Sequence, residues 1–149
     1  MFIARRSGLQ TLWSLSTSGQ ESARQILHDR SAIPPAVSPD GSRVLFATRT
    51  ERGFAVVICG LPACRDVRQL SLSTLHASWT ADGQAVTYLP TTDNRNLWVQ
   101  PLAGGEPRPL THFTDEQILN FEWSPDGQRI AISRGLETND VVLVRHIDR

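Results

Sequence analysis

Apolar and polar residues alternate with a period of two at three places, each time just after the same short turn. Val44 and Phe46 follow Asp40, Val86 and Tyr88 follow Asp82, and Ile130 and Ile132 follow Asp126, four and six residues downstream in every case. Residues two apart share one face of a strand, so each run predicts a β-strand with a buried side. A glycine (Gly41, Gly83, Gly127) comes directly after each aspartate, and Val37, Trp79 or Trp123 stands three residues before it. The aspartates are 42 and 44 residues apart, which is the length of one four-stranded propeller blade, roughly 40–45 residues.

The units stay aligned further along. Polar loops (RTERG, TTDNRN, GLETN) lead to second apolar strands (FAVVICGL, NLWVQPL, DVVLVRHI). A tight turn such as AGGEP then leads to a short outer strand, VRQL or RPLT. With the strands named A to D outwards, FIAR, QTLWSL and SARQI read as B, C and D of an earlier unit, which makes Trp13 and Trp98 equivalent. The expected fold is all-β: four-stranded antiparallel meanders arranged as about 3.5 propeller blades, an incomplete ring with open edges. The expected pieces are residues 1–30 (strands B–D), 35–72 and 76–112 (full blades) and 118–149 (strands A–C). This reads as the C-terminal half of a ring of roughly six to eight blades. Its exposed faces and strand edges invite self-association.

Composition narrows the function classes. A chain of 149 residues with 40% hydrophobic and 20% charged residues can build an ordinary globular core. Fifteen basic residues balance fifteen acidic ones, so no general attraction to nucleic acid or anionic lipid is expected. Apolar runs are strand-length, far short of the roughly 20 residues of a membrane span. MFIARRSGLQ puts its arginines after the apolar residues, the reverse of a secretory signal.

Repetition also decides most of the candidate chemistry. A catalytic aspartate is needed once, whereas a turn aspartate is needed once per blade. In Ser-Pro-Asp-Gly, Pro presets φ, Asp bonds nearby backbone N–H groups and Gly supplies positive φ. Asp40, Gly41, Asp82, Gly83, Asp126 and Gly127 are therefore expected to be structural turn residues, with Trp79 and Trp123 between blades and Trp13 and Trp98 in the core. The histidines (His28, His76, His112, His146) have no partner at metal-ligand spacing. His28, His76 and His112 fall in predicted D–A connections, where they are either surface residues or binding residues. Cys59 ends predicted strand C and Cys64 sits in the C–D hairpin turn, a spacing that suits a disulfide in an oxidising compartment or two free thiols. There is no GxSxG elbow, no HExxH and no Gly-rich phosphate loop. The acidic Thr114–Glu116 loop reads as solvated. No catalytic residue, metal or cofactor is expected.

The repeated SPDG turn, followed by an apolar strand and a second LW or VV strand, resembles the WD40-like PD40 repeat of TolB-like propellers. Similar propellers sit beside prolyl-oligopeptidase catalytic domains. VVICGLPACRDVRQL and the ending WSPDGQRIAISRGLETNDVVLVRHIDR are similar to the C-terminal propellers of bacterial regulators with a Ser/Thr kinase or winged-helix domain upstream. The resemblance implies a non-catalytic module for protein, peptide or ligand recognition within a larger sensor or regulator, extracytoplasmic if the parent is a sensor and otherwise cytoplasmic. The alternatives are the accessory propeller of a serine hydrolase or a truncated frame without function. The expected binding face joins His76, His112 and Phe113 of D–A connections with Arg52, Asp93, Arg95 and Glu137 of B–C loops.

Overall fold

The computed structural model of the chain describes residues 2–6, 9–15, 22–26, 32–51 and 53–136. Among these residues there are strands and turns but no helix. β1 (Phe2–Arg6), β2 (Leu9–Ser14) and β3 (Arg24–Gln25) form a three-stranded sheet. β4 (Ala32–Val37), β5 (Arg43–Thr50), β6 (Gly53–Gly60) and β7 (Arg65–Leu70) form a four-stranded one. So do β8 (Thr74–Trp79), β9 (Ala85–Pro90), β10 (Trp98–Pro101) and β11 (Arg108–Pro109), followed by the pair β12 (Gln117–Trp123) and β13 (Ile130–Gly135). Every pairing joins chain neighbours and is antiparallel. The chain is a partial β-propeller built of meandering blades. The predicted strand DVVLVRHI lies outside the described residues, as do Arg52, Glu137, His28 and His146.

The turn between strands A and B is built the same way three times. Ser38 N–H donates to Arg43 O (2.8 Å), Arg43 N–H returns to Ser38 Oγ (2.9 Å), and Gly41 N–H closes on Ser38 O (2.8 Å). Asp40 Oδ1 accepts from Ser42 N–H (3.0 Å) and from the Ser38 hydroxyl (2.6 Å). Thr80, Asp82, Gly83 and Gln84 repeat this pattern, and so do Ser124, Asp126, Gly127 and Gln128. The hydroxyl residue two before the aspartate is thus as much a part of the turn as the aspartate. Proline is not required, because Ala81 takes its place in the middle unit with the hydrogen bonds intact. The glycines sit at φ of 74°, 65° and 66°, a region open to a residue without Cβ.

Each strand A also carries a register irregularity, between Ile33 and Ala36, Thr74 and His76, and Ile118 and Asn120. In the first, Pro34 and Pro35 have no N–H to give a ladder, so an irregular edge strand is where they fit. In the second, Thr74 Oγ1 donates to Leu89 O (2.6 Å) and accepts from His76 N–H (3.0 Å), which fills the break.

Three hydrophobic clusters glue successive sheets. Leu12 and Ile26 of the first sheet meet Val44, Phe46, Val57 and Cys59 of the second. Leu45, Val56 and Ile58, on the other side of that second sheet, meet Trp79, Val86 and Tyr88 of the third, with Leu70 and Leu72 beside them. Leu89 and Leu97 meet Ile118 and Phe121 of the fourth. Val44 to Thr48 of β5 are all buried, because odd and even positions face different neighbours. Each buried Val, Leu or Phe among them contributes about 1.5–3 kcal/mol, so the sheet-to-sheet contacts are a main source of the stack's stability. Trp79 and Trp123 bridge blades as the register implies: the Trp79 indole N–H donates to Ala36 O (2.9 Å), and that of Trp123 to Thr87 Oγ1 (3.2 Å). Trp13 and Trp98 are half-buried rather than core residues. The outer strands shield them incompletely, since β3 and β11 are two residues long.

Candidate binding face

The ends of the sheets where strands B and C are joined gather the loops that vary from blade to blade. The loop at 91–97 and the connection at 110–116 are tied together by Asn96. Its Oδ1 accepts from Phe113 N–H (2.6 Å) and the Thr111 hydroxyl (3.0 Å), and its Nδ2 donates to Phe113 O (3.1 Å). Leu97 N–H donates to Thr111 Oγ1 (3.0 Å), and Ile118 N–H to Asn94 O (2.8 Å). The two loops therefore form one rigid platform on which side chains are displayed.

On that platform Arg95 pairs with Asp93 through two hydrogen bonds, Nε to Oδ1 (2.9 Å) and Nη2 to Oδ2 (3.2 Å). The guanidinium holds the Asp93 carboxyl below the usual carboxylate range, and the carboxylate raises the arginine in return. Arg134, at the end of β13, lies over the Phe113 ring (3.8 Å to its centre) and donates to Asp115 O and Oδ1 (both 2.7 Å). Glu116 stands 3.8 Å away on the same guanidinium. This bond and charge lower the Asp115 pKa. The acidic loop is exposed to solvent, as expected, and Arg134 ties it to the end of β13. His112 is exposed beside Phe113.

Of the expected binding residues, the structure brings Asp93, Arg95, His112 and Phe113 together on this platform. Arg52 and Glu137 lie outside the described residues. His76 is not in a connection: it is exposed within β8, at the break held by Thr74, because strand A begins two residues earlier than the pattern suggests. Asn96, Asp115 and Arg134 belong to the platform and were missed. The doubled asparagine in TTDNRN was a signal for backbone capping. Nothing in the sequence marks the reach of Arg134 across 19 residues to Asp115.

Two clefts open beside it. One, of about 540 Å³, is lined by Thr50, Glu51, Phe54, Gln69, Ser71 and Ser73. The other, of about 330 Å³, has Tyr88 and Trp98 as walls, with Asp93 and Glu106 among its rim residues. Burial raises the Tyr88 hydroxyl.

The other residues singled out in the sequence have structural partners. Cys59 and Cys64 are joined by a disulfide with Cα atoms 4.8 Å apart, and it pins the hairpin between β6 and β7. The turn aspartates point at their own turns. The Ser38 hydroxyl and the Ser42 N–H and hydroxyl draw Asp40 down to about 2. Asp82 and Asp126 are lowered by Thr80 with Gln84, and by Ser124 with Gln128. Among the described residues no three His, Cys, Asp or Glu side chains gather as metal ligands.

Comparison with known proteins agrees with the architecture. No profile of a known protein family matches the chain. A protein TolB homolog of Chlorobium luteolum is 28% identical over 134 residues, covering 88% of this chain and 30% of the homolog. The crystal structure of TolB from Acinetobacter baumannii superposes with a TM-score of 0.68 at 22% identity, over 87% of this chain and 33% of that one. The chain thus spans about a third of the length of these proteins. Repeat, sheet order and these likenesses agree on one fold, a partial β-propeller similar to that of TolB.

Proposed function

We propose that the chain is a non-catalytic recognition module whose loop platform binds a polypeptide, as part of a larger propeller in a sensor or regulator. The observation that carries this reading is the Asn96 bridge. It fixes two variable loops against each other, one carrying Asp93 and Arg95 and the other His112 and Phe113. Charges held on loops that are already ordered lower the ordering cost of binding, and loops on a stiff scaffold are where propellers carry specificity. The repeated aspartates support the non-catalytic half of the reading, since Oδ1 of each is engaged in its own turn. The TolB relatives support a protein as the partner by analogy of fold.

The test is to pan a random 12-residue peptide library on the immobilised chain and rebind the selected peptides to an Arg95→Glu/His112→Ala variant. The reading expects at least tenfold weaker rebinding. Peptides that bind the variant as well as the parent, at an unchanged unfolding midpoint, would place recognition elsewhere.

A further inference from the structure

Two of the sheet junctions use the same socket, and the fourth sheet carries a third, open copy of it. On the second sheet the socket consists of Arg43, three residues after the turn aspartate, and the facing pair Ala36 and Leu45. The third sheet inserts Trp79 there. The Trp79 indole N–H donates to Ala36 O (2.9 Å), the Arg43 guanidinium lies 4.8 Å from the ring centre, and Arg43 Nη2 donates to Gly83 O (2.9 Å) in the turn that follows the tryptophan. The corresponding residues of the third sheet are Ala85 and the facing pair Ser78 and Thr87, and Trp123 enters with its N–H on Thr87. Ala85 supplies no guanidinium there, and the next turn comes so close that a Cβ on Gly127 would clash with Ala81 Cβ.

On the fourth sheet the same positions are Arg129 and the facing pair Glu122 and Ala131. The arginine is back, and all three residues are exposed. Among the described residues the Arg129 guanidinium has no acceptor, carboxylate or ring partner. Between Asn120, Glu122, Ala131 and Ser133 the face is hollowed into a depression of about 280 Å³.

We propose that this face docks a further blade of the same repeat, one whose strand A ends in tryptophan and runs into a Ser/Thr-x-Asp-Gly turn, and that Arg129 selects it. Two features favour this occupant. The position matches an interface the molecule already uses, with Glu122 O standing where Ala36 O receives an indole N–H. A guanidinium also finds its best π partner in tryptophan, and the glycine carbonyl after it accepts the second bond. A blade headed by valine, as at Val37, would leave Arg129 without a ring and Glu122 O without a donor. The blade at Thr74–Pro109 shows what the socket fits.

The test extends the full chain beyond Arg149 by a copy of residues 102–110 as an outer strand and then a copy of residues 71–110 as the incoming blade. Amide exchange is expected to show the appended strands protected. Arg129→Ala should lower the unfolding midpoint of the extended chain by about 2–4 °C and leave that of the 149-residue chain unchanged within error. Valine in place of the appended tryptophan should abolish this difference. Unprotected appended strands, or an equal effect of Arg129→Ala in both chains, would overturn the proposal. Both readouts are independent of the peptide-binding platform.

Discussion

The second and fourth sheets are built from the same repeat yet differ in one respect. Strand β5 reads Val-Leu-Phe-Ala after its first residue and is buried on both sides. Strand β13 reads Ile-Ala-Ile-Ser, with its isoleucines half-buried toward the third sheet and Ala131 and Ser133 exposed. In β5 the even positions meet the first sheet and the odd ones the third, so two neighbours demand two apolar sets. In β13 only one face is matched by large apolar residues. Strand geometry comes from the turn and the pairing, which both sheets share, whereas the depth of burial comes from the number of neighbours. The repeat therefore specifies the blade, and the interfaces specify how stable each blade is.

The largest test of this contrast is a core truncation. Phe46→Ala, at 1% exposure between the first two sheets, should cost about 3–5 kcal/mol in denaturant unfolding, while Ala131→Ser on the open face should stay within about 0.5 kcal/mol. Equal costs would mean that the open face is covered. Reduction of the Cys59–Cys64 bond, which closes a short loop on the second sheet, should cost about 2 kcal/mol on the chain-entropy account. An unfolding midpoint unmoved by reductant would count against it.

Turn glycines give the next comparison. Gly41→Ala introduces strain at φ 74° with nothing within 4 Å, whereas Gly127→Ala at φ 66° also drives a methyl into Ala81. Left-handed strain costs about 1–2 kcal/mol, so the second substitution should be the more damaging, and Ala81→Gly should recover the excess. Comparable in size is the arginine pair: Arg43→Ala loses the bond to Gly83 and the Trp79 face, about 1–2 kcal/mol, while Arg129→Ala should be silent in the 149-residue chain. The mildest effect is acid sensitivity. The turn aspartates have lowered folded pKa values, so their contribution is fully present above the unfolded carboxylate value of 3.8. For Asp40 it is lost as pH falls toward about 2. Asp40→Asn should flatten that part of the stability–pH curve, and an unchanged curve would argue against the turn bonds.

The fold was legible because its signal repeats. Three copies of one turn fix the period, the strand register and the inward positions. Even Trp79 and Trp123 could be placed between blades from their offset to the aspartate. The binding face was legible only as a set of loops, because loops do not repeat and each contact there is made once. His76 was misplaced by a break in strand A that no spacing reveals, since Thr74 substitutes for a missing ladder bond. Asn96 and Arg134 act through side-chain reach across the third and fourth sheets, which a strand pattern does not encode. Proline presets φ in two turns, and Ala81 shows that the hydroxyl and carboxylate hold the turn without it.

The central claim is that neighbour sheets, rather than the repeat itself, set the stability of each blade. Amide hydrogen exchange resolved strand by strand tests it most directly. The account predicts the slowest exchange in β5, β6 and β9, which lie between two sheets, and markedly faster exchange in β12 and β13. Protection in β13 equal to that in β5 would contradict it.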